Sequence, residues 1–495
     1  AFAWLLLGGS LLAGIQASKR MFGRGDDSDR MKDRSVKRWS SREEARDRRR
    51  QEILQRQRQD RRNYREHIRR LAETTTEKED ESQDLFGSGG ASKRAKRDSN
   101  PGIGMDVKEV GMKKKARGKK QKPPKMETEK DPEAEAKKRE KRQEYLRRRR
   151  EWFARQLMYP EWMTGIPRDL GSNWFVLPRP EGIRCLVISS RGKTISRKKS
   201  GSILHNFQSA LPNGNRHQMK QDPCILDCIY QPQKQIYYVL DLMCWGGYAI
   251  YDSATDFRHF WVHSKLSEVP IHRVNSENKF KFAPVPRFSA DTAGLRKAYG
   301  GGGASAHGFQ MDGLLFVHKQ THYDFGLSPL CLVWKDAKTS RFFVDTSDGK
   351  TVPPKQKCTL YSQPDGKVMS LEGQVVGTLT PQAVAQAKIK LDCLHKFTVS
   401  GVSISQNGKE VVEGLSYGGP GSKARVLPDS WSKIVFQSLA RRGATPSIME
   451  IAKRCAAASA INTGTEKDAP AASKSQPTHS INEAKTKTIE MSDAM

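Results

Sequence analysis

The stretch ILDCIYQPQKQIYYVLDLMCW, residues 225–245, decides the fold class. Its runs ILDCIY and YYVLDLMCW are short, apolar and rich in β-branched and aromatic residues, which is how strands read. WFVL (174–177), RCLVISS (184–190), FWVH (260–263), GLLFVHK (313–319) and CLVWK (331–335) have the same character. LPNGN (211–215) is a turn signal, and HNFQSAL (205–211) before it reads as a short helix. The expectation is a mixed α/β body of the α+β kind, built mainly on antiparallel sheet.

That body starts near Tyr145, where Trp152, Phe153, Trp162, Trp174 and Phe175 crowd into one short stretch, and it is assigned residues 145–345. RFFVD (341–345), KCTLYS (357–362), KVMSLEGQVVGTL (367–379) and KFTVSGVSIS (396–405) are further strand-like pieces, and 429–441 reads as a helix. Residues 346–455 are therefore a β-rich C-terminal extension. The Ala-, Ser-, Thr- and Lys-rich residues 456–495 are expected to be a disordered tail.

Upstream the chain is of a different kind. Residues 40–73 read as one long helix, with a capping-box pattern at Ser41 and Glu44 and no Pro or Gly to interrupt it. Between Ser41 and Ala72 lie twelve arginines and six acidic residues, while Leu54, Tyr64, Ile68 and Leu71 form a thin apolar stripe. So little apolar surface predicts a helix that stays solvated or is wrapped by an acidic partner. Residues 74–144 are expected to be a disordered linker. Its run KKKARGKKQK (113–122) is either a solvated charge run, a second import signal or a patch that steers RNA. Residues 1–30 are assigned as an N-terminal extension. They open with an apolar run of 15 residues, short for a membrane span, and Met21 or Met31 is the expected start.

The chain of 495 residues is 36% hydrophobic and 29% charged, with 87 Lys and Arg against 55 acids. Much of it is therefore expected to lie outside any core, and a net charge of +32 favours a polyanionic or acidic partner over a small neutral ligand. Eight cysteines spread from Cys185 to Cys455 fit neither a zinc knuckle nor a disulfide framework and read as buried thiols of a reducing compartment. His263, His318 and His322 lack converging ligand spacing, so no metal or other cofactor is expected.

Three short motifs carry the chemistry: RPEGIR (179–184), DGLLF (312–316) and LVWK (332–335). In that order and spacing they resemble the nucleotidyltransferases, the mRNA guanylyltransferases and DNA ligases whose first motif is K-x-D-G-x-R. The resemblance implies a guanylyltransferase-like antiparallel sheet domain. Here Arg179 stands where that family has its nucleophilic Lys, and Glu181 where it has Asp. A guanidinium is always protonated and can hold a phosphate but cannot attack one. The residues thus read as a guanine-nucleotide pocket kept for binding, not as an enzyme.

QLMYPEW (156–162), ISSRGKT (188–194), KKSG (198–201), LPNGNR (211–216), DFRHFWVHSKL (256–266) and DGLLFVHKQTHY (312–323) resemble successive blocks of the snurportin family. Residues 31–73, ending in RRLAE, resemble that family's importin-β-binding segment. The resemblance implies a nuclear import adaptor, shuttling between nucleus and cytoplasm, whose partners are importin-β, the trimethylguanosine-capped small nuclear RNA and a nuclear exportin, with no role for a membrane. It implies that Trp334 stacks the methylated base by a cation–π contact. Tyr159 and Pro160 stand where the family has a Leu-Ser wall, Arg179 replaces a Cys, and Lys335 is an addition. Lys199 falls on the cap-contacting Lys and Arg184 on the motif's second basic position. Importin-β is expected to contact Arg48, Arg49, Leu54, Arg61, Arg62, Tyr64, Arg65, Ile68, Arg69, Arg70 and Leu71. A guanylyltransferase-like enzyme and a general basic RNA-binding protein are the alternatives.

Overall fold

The computed structural model describes residues 26–60, 63–76, 132–219, 221–300, 307–346, 351–405, 410–422 and 424–465. Helices α1 (Asp26–Gln59), α2 (Tyr64–Thr76) and α3 (Pro132–Ala154) come first. They lead into β1 (Met158–Trp162), the short α4 (Leu170–Asn173), β2 (Trp174–Pro180), β3 (Ile183–Ser190), β4 (Lys193–Lys198), β5 (Ile203–Phe207), β6 (Cys224–Gln231), β7 (Ile236–Trp245) and β8 (Tyr248–Ala249). After α5 (Thr255–Ser267) follow β9 (Lys281–Pro284), β10 (Phe288–Ser289), α6 (Thr292–Tyr299), β11 (Met311–His318) and β12 (Gly326–Trp334).

Two sheets form the body. One has the order β1-β12-β11-β2-β10, the other β5-β4-β3-β6-β7-β8 with β9 added beside β7. All described pairs in them are antiparallel except β1 with β12 and β7 with β9. The mixed, mainly antiparallel class read from the sequence is the one observed. Every residue of β6 and of β11 is buried, which is why both read as near-continuous apolar runs. Apolar side chains from both sheets meet in one core that includes Trp174, Leu186, Ile225, Leu314, Phe316 and Trp334.

Two local readings are corrected. FWVH lies in α5, because Thr255, Arg258, His259, Val262 and Leu266 are its buried residues, a spacing only a helix can put on one face. HNFQSAL opens in β5, which pairs with β4 instead of coiling into a helix.

Downstream, the C-terminal lobe contains β13 (Gln356–Ser362), β14 (Lys367–Met369), β15 (Val375–Thr378), α7 (Pro381–Gln386), β16 (Cys393–Val399), β17 (Gly401–Ile404), β18 (Glu410–Glu413), β19 (Ser416–Pro420), α8 (Trp431–Arg441) and α9 (Ile448–Thr465). β13 pairs with β14 and β16, β14 with β15, and β16–β17 fold back on β18–β19. β18 also approaches β15. With a helix between the third and fourth strands, this is the strand order of an OB-type barrel. RFFVD is not part of it: residues 341–345 form turns. α9 continues to Thr465, into the residues expected to be a tail, and residues 466–495 lie outside the described residues.

The N-terminal helices depart furthest from expectation. The single helix is two, broken between Gln59 and Tyr64, and the first starts at Asp26, so Ser41 lies inside it and not at its N-terminus. The stripe does bury: Leu54, Tyr64, Ile68 and Leu71 are 5%, 7%, 4% and 0% exposed. On α2 the buried residues Tyr64, Ile68, Leu71 and Thr75 recur at helical period, and Tyr64 stacks on Tyr251 with ring centroids 4.5 Å apart. Part of the expected linker is also ordered. Residues 132–154 form α3, held by i,i+4 pairs such as Glu133–Lys137 at 2.7 Å and Glu144–Arg148 at 2.7 Å. Residues 1–25, the run 113–122, and Arg61 and Arg62 lie outside the described residues. Among the described residues no helix is long and apolar enough to cross a membrane.

Candidate functional site

β2, β11 and β12 bring the three motifs together. Leu314 of β11 lies opposite both Pro178 of β2 and Trp334 of β12, so Arg179, Asp312 and Lys335 converge on one carboxylate. Asp312 accepts from Arg179, from Ser340 and from Lys335, whose Nζ is 2.5 Å away. Burial pushes the Asp312 carboxyl up, but the charges of Arg179 and then Lys335 hold it below the usual range, so it stays ionised. Gly313 is required here: at φ 93° it lies so close to the Trp334 carbonyl that a Cβ would stand 2.3 Å from that oxygen. Glu181 pairs with Arg341. Both motif residues that depart from the nucleotidyltransferase pattern are thus in salt bridges within the chain.

A second cluster surrounds Tyr159. Arg184 grips Asp227 through two nitrogens, Nε to Oδ1 at 3.0 Å and Nη2 to Oδ2 at 2.6 Å, and also donates to the Met158 carbonyl at 2.6 Å. The Tyr323 hydroxyl adds a 2.8 Å bond to Asp227. Burial works against the Arg184 charge, but Asp227 outweighs it and holds the guanidinium pKa well above its ordinary value. Arg184 is thus committed to Asp227 and the Met158 carbonyl through Nε and Nη2. Tyr159 is 4% exposed and its hydroxyl donates to the Ala154 carbonyl at 2.5 Å, while burial drives its pKa well up. Lys199 is exposed, with Nζ 5.1 Å from the Tyr159 ring centroid. Desolvation first, then the charges of Lys433 and Arg425, push its pKa down to about 8. Water reaching the exposed side chain screens part of that depression.

The two clusters are separate. β1 runs parallel to β12 with Tyr159 opposite Leu327 and Pro160 opposite Ser328, whereas Val333, beside Trp334, is met by Trp162 and Met163. Four residues of strand separate Tyr159 from that end, roughly 13 Å at ~3.3 Å per residue. Tyr159 and Trp334 therefore do not face each other across one base. Trp334 is 1% exposed, and its Nε1 donates to the Pro446 carbonyl at 2.8 Å, in the turn between α8 and α9. The C-terminal lobe closes over the expected stacking ring. A cavity of about 230 Å³ lies elsewhere, under α1, lined by Asp47, Arg50, Leu54, Arg168 and Asp169 among others.

Among the described residues no group of His, Cys, Asp and Glu could hold a metal ion. No disulfide joins any of the eight cysteines, and seven are buried, with Cys393 partly accessible.

Residues 156–336 match the family described as Snurportin1, m3G cap-binding domain. Over those residues the chain is similar to the snurportins. The matched residues hold every motif of both clusters, from QLMYPEW through LVWK, and the snurportin domain is a binder of m3G-capped RNA. Solved structures similar to the chain include mycobacterial DNA ligase D complexed with ATP and MES, at 12% identity and TM-score 0.25, covering 54% of this chain and 96% of that one. The ATP-dependent DNA ligase from bacteriophage T7, complexed with ATP, has 10% identity and TM-score 0.27, covering 54% and 99%.

Arg425, Asp429 and Lys433, outside the matched residues, escaped the sequence reading although the two cations contribute to the lowered pKa of Lys199. No local pattern marks them, since Asp429 gathers the two cations where the C-terminal lobe pins it to β13. Asp227 was detectable: a carboxylate inside ILDCIY must be paired if that run is buried.

Proposed function

We propose that this chain is a nuclear import adaptor, with no enzymatic activity. Its snurportin domain holds the trimethylguanosine cap of a spliceosomal small nuclear RNA, α1–α2 recruit importin-β, and a nuclear exportin returns it to the cytoplasm. The observation that carries the reading is the match of residues 156–336 to the m3G cap-binding domain. The absence of covalent chemistry is supported by Arg179: the position a nucleotidyltransferase gives to its nucleophilic amine holds a guanidinium committed to Asp312. Cap stacking on Trp334 requires the turn that carries Pro446 to swing aside, which also frees the indole N–H. Lys199, exposed and next to further cations, is the residue placed to meet the triphosphate.

Recruitment of importin-β is supported by a helix surface on which Arg48, Arg49, Arg65, Arg69 and Arg70 are exposed. Leu54, Tyr64, Ile68 and Leu71, expected to fix the partner's register, are instead occupied by the body. Importin-β therefore has to compete with the chain itself for that stripe, and the arginines are the part it reaches first.

Tryptophan fluorescence of the full chain, titrated with trimethylated and monomethylated cap dinucleotides, tests the cap half. Selective quenching by the trimethyl form is expected, and equal or absent responses would overturn it. For the import half, Arg69→Glu with Arg70→Glu should abolish capture by importin-β and leave the cap titration unchanged; undiminished capture removes that claim. Incubation with labelled GTP and a divalent metal should leave the chain unlabelled, and a covalent adduct would establish an enzyme.

A further inference from the structure

The C-terminal end of α3 is fixed to the turn from β4 to β5, which carries Lys199. A Cβ on Gly201 would stand 1.9 Å from the Arg150 carbonyl, so only glycine lets the turn approach α3 this closely. Arg197 of β4 donates to the Gly201 carbonyl at 3.0 Å and lays its guanidinium 3.7 Å from the Phe153 ring centroid. The Tyr159 hydroxyl spans the same joint, 2.5 Å from the Ala154 carbonyl of α3 and 3.5 Å from the Lys199 carbonyl. Lys199, the side chain placed to meet the triphosphate, is therefore held at one end of α3.

From that joint α3 runs outward. Lys138, Arg142, Tyr145, Arg149 and Phe153 recur three or four residues apart and so share one stripe of the helix. The C-terminal part of the stripe docks: Phe153 is 1% exposed, and the buried Arg149 donates to the Thr74 carbonyl. The N-terminal part does not. Lys138 and Arg142 are exposed, and Tyr145 keeps 56% of its surface accessible. Lys141 and Arg142 stand four and three residues before Tyr145, and Arg148 three after it, so cations border the ring. The α3 ion pairs use Lys137, Arg147 and Arg148, and among the described residues no carboxylate pairs with Lys138, Arg139 or Lys141. Lys138 has Lys141 and Arg142 three and four residues on, spacings at which like charges work against a helix. A face kept only for solvation alternates the sign of its charges. This one gathers cations around an aromatic ring, the combination that holds single-stranded nucleic acid by phosphate contacts and base stacking. At ~1.5 Å per residue, Tyr145 lies about 8 Å and Lys138 about 18 Å from Arg150 along the axis, so a ligand that reaches both from Lys199 is extended.

We infer that the outer part of α3 is a track for the RNA that follows the cap, with Tyr145 stacking one of its bases and Lys138, Lys141 and Arg142 meeting its phosphates. The inference rests on the cap-binding reading and adds to it an RNA contact upstream of the matched residues 156–336.

The test compares two ligands on the full chain: a trimethylguanosine-capped dinucleotide, and the same cap on a decanucleotide. The decanucleotide should bind about tenfold more tightly at low salt, and its affinity should fall more steeply as salt rises, by a slope of about 0.7 per added phosphate contact. Tyr145→Ala should weaken the decanucleotide about fivefold or more, the worth of one stacked base, and leave the dinucleotide unchanged, while Tyr145→Phe should keep the wild-type ratio. Lys138→Gln with Lys141→Gln should make the salt slope of the decanucleotide shallower by about 1.4. A wild-type ratio near one, or a ratio unmoved by these variants, overturns the inference while leaving cap binding intact. Loss of importin-β capture in the same variants, with the RNA ratio kept, would assign the stripe to a protein partner and overturn it as well. If the dinucleotide itself does not bind, the cap reading falls and the track with it. Photo-crosslinking of a capped decanucleotide carrying 4-thiouridine needs no variant; adducts are expected within 138–149, and adducts found only elsewhere count against the track.

Discussion

α2 and α3 are both arginine-rich helices, and composition alone would give them the same fate. They differ in where their few apolar residues fall. On α2, Tyr64, Ile68 and Leu71 lie along one face and enter the main core together. On α3, the first four turns expose almost every described side chain, Tyr145 included at 56%, and only the last turns bury Arg149, Phe153 and Ala154. Charge density decides solubility and partner type, whereas the spacing of three or four apolar residues decides whether a helix docks.

The largest effect that would break this comparison is expected at Leu71. Leu71→Ala should lower stability by about 2–5 kcal/mol in urea unfolding, because it leaves a hole in a fully buried site. Tyr145→Ala on α3 should stay within about 0.5 kcal/mol. Equal effects at the two positions would show that α2 is not docked. Next comes Gln57 of α1, 6% exposed, which donates to Asp324 and accepts from the His322 N–H at 3.2 Å. Gln57→Ala should cost about 1–3 kcal/mol by leaving those groups unpaired.

A smaller, pH-dependent effect is expected from His67 of α2. Burial, and then the charge of Arg70, lower its pKa, so the docked helix holds the neutral ring. A base whose folded pKa is depressed binds more protons once released. Docking should therefore be unaffected above the ordinary histidine range and weaken as pH falls through about 6.5. Amide hydrogen exchange on α2, compared with α3 across that range, reads it. His67→Gln should flatten the profile, and an unflattened profile would assign the loss to other groups. The smallest effect belongs to Arg49, half exposed and 2.8 Å from Glu161: Arg49→Ala should change stability by no more than about 1 kcal/mol.

The same logic explains what could be read in advance. β6, β7, β11 and β12 were legible because a strand buried on both faces is a continuous apolar run whatever surrounds it. FWVH misled because four residues are too few to separate a period of two from one of 3.6; Arg258, bonded to Asp241 at 2.9 Å, shows that the helix buries even a charge on its inner face. At the site, Arg179, Asp312 and Lys335 each belong to one of the three motifs, and the structure joins them on one carboxylate. The motifs could not show that Arg184 is consumed by Asp227, or that Pro446, more than a hundred residues downstream of Trp334, caps the indole.

The sequence by itself determined the strand-rich body, the basic character of the chain and the substitution of an arginine for the nucleophile, because these depend on residue type and short-range pattern. Only the tertiary structure decided the docking of the arginine-rich helices, the separation of Tyr159 from Trp334 and the cover that Pro446 places over the Trp334 indole. Each of those depends on which distant surfaces come into contact, and burial and charge pairing between them are set by the packing of whole elements, not by any local run of residues.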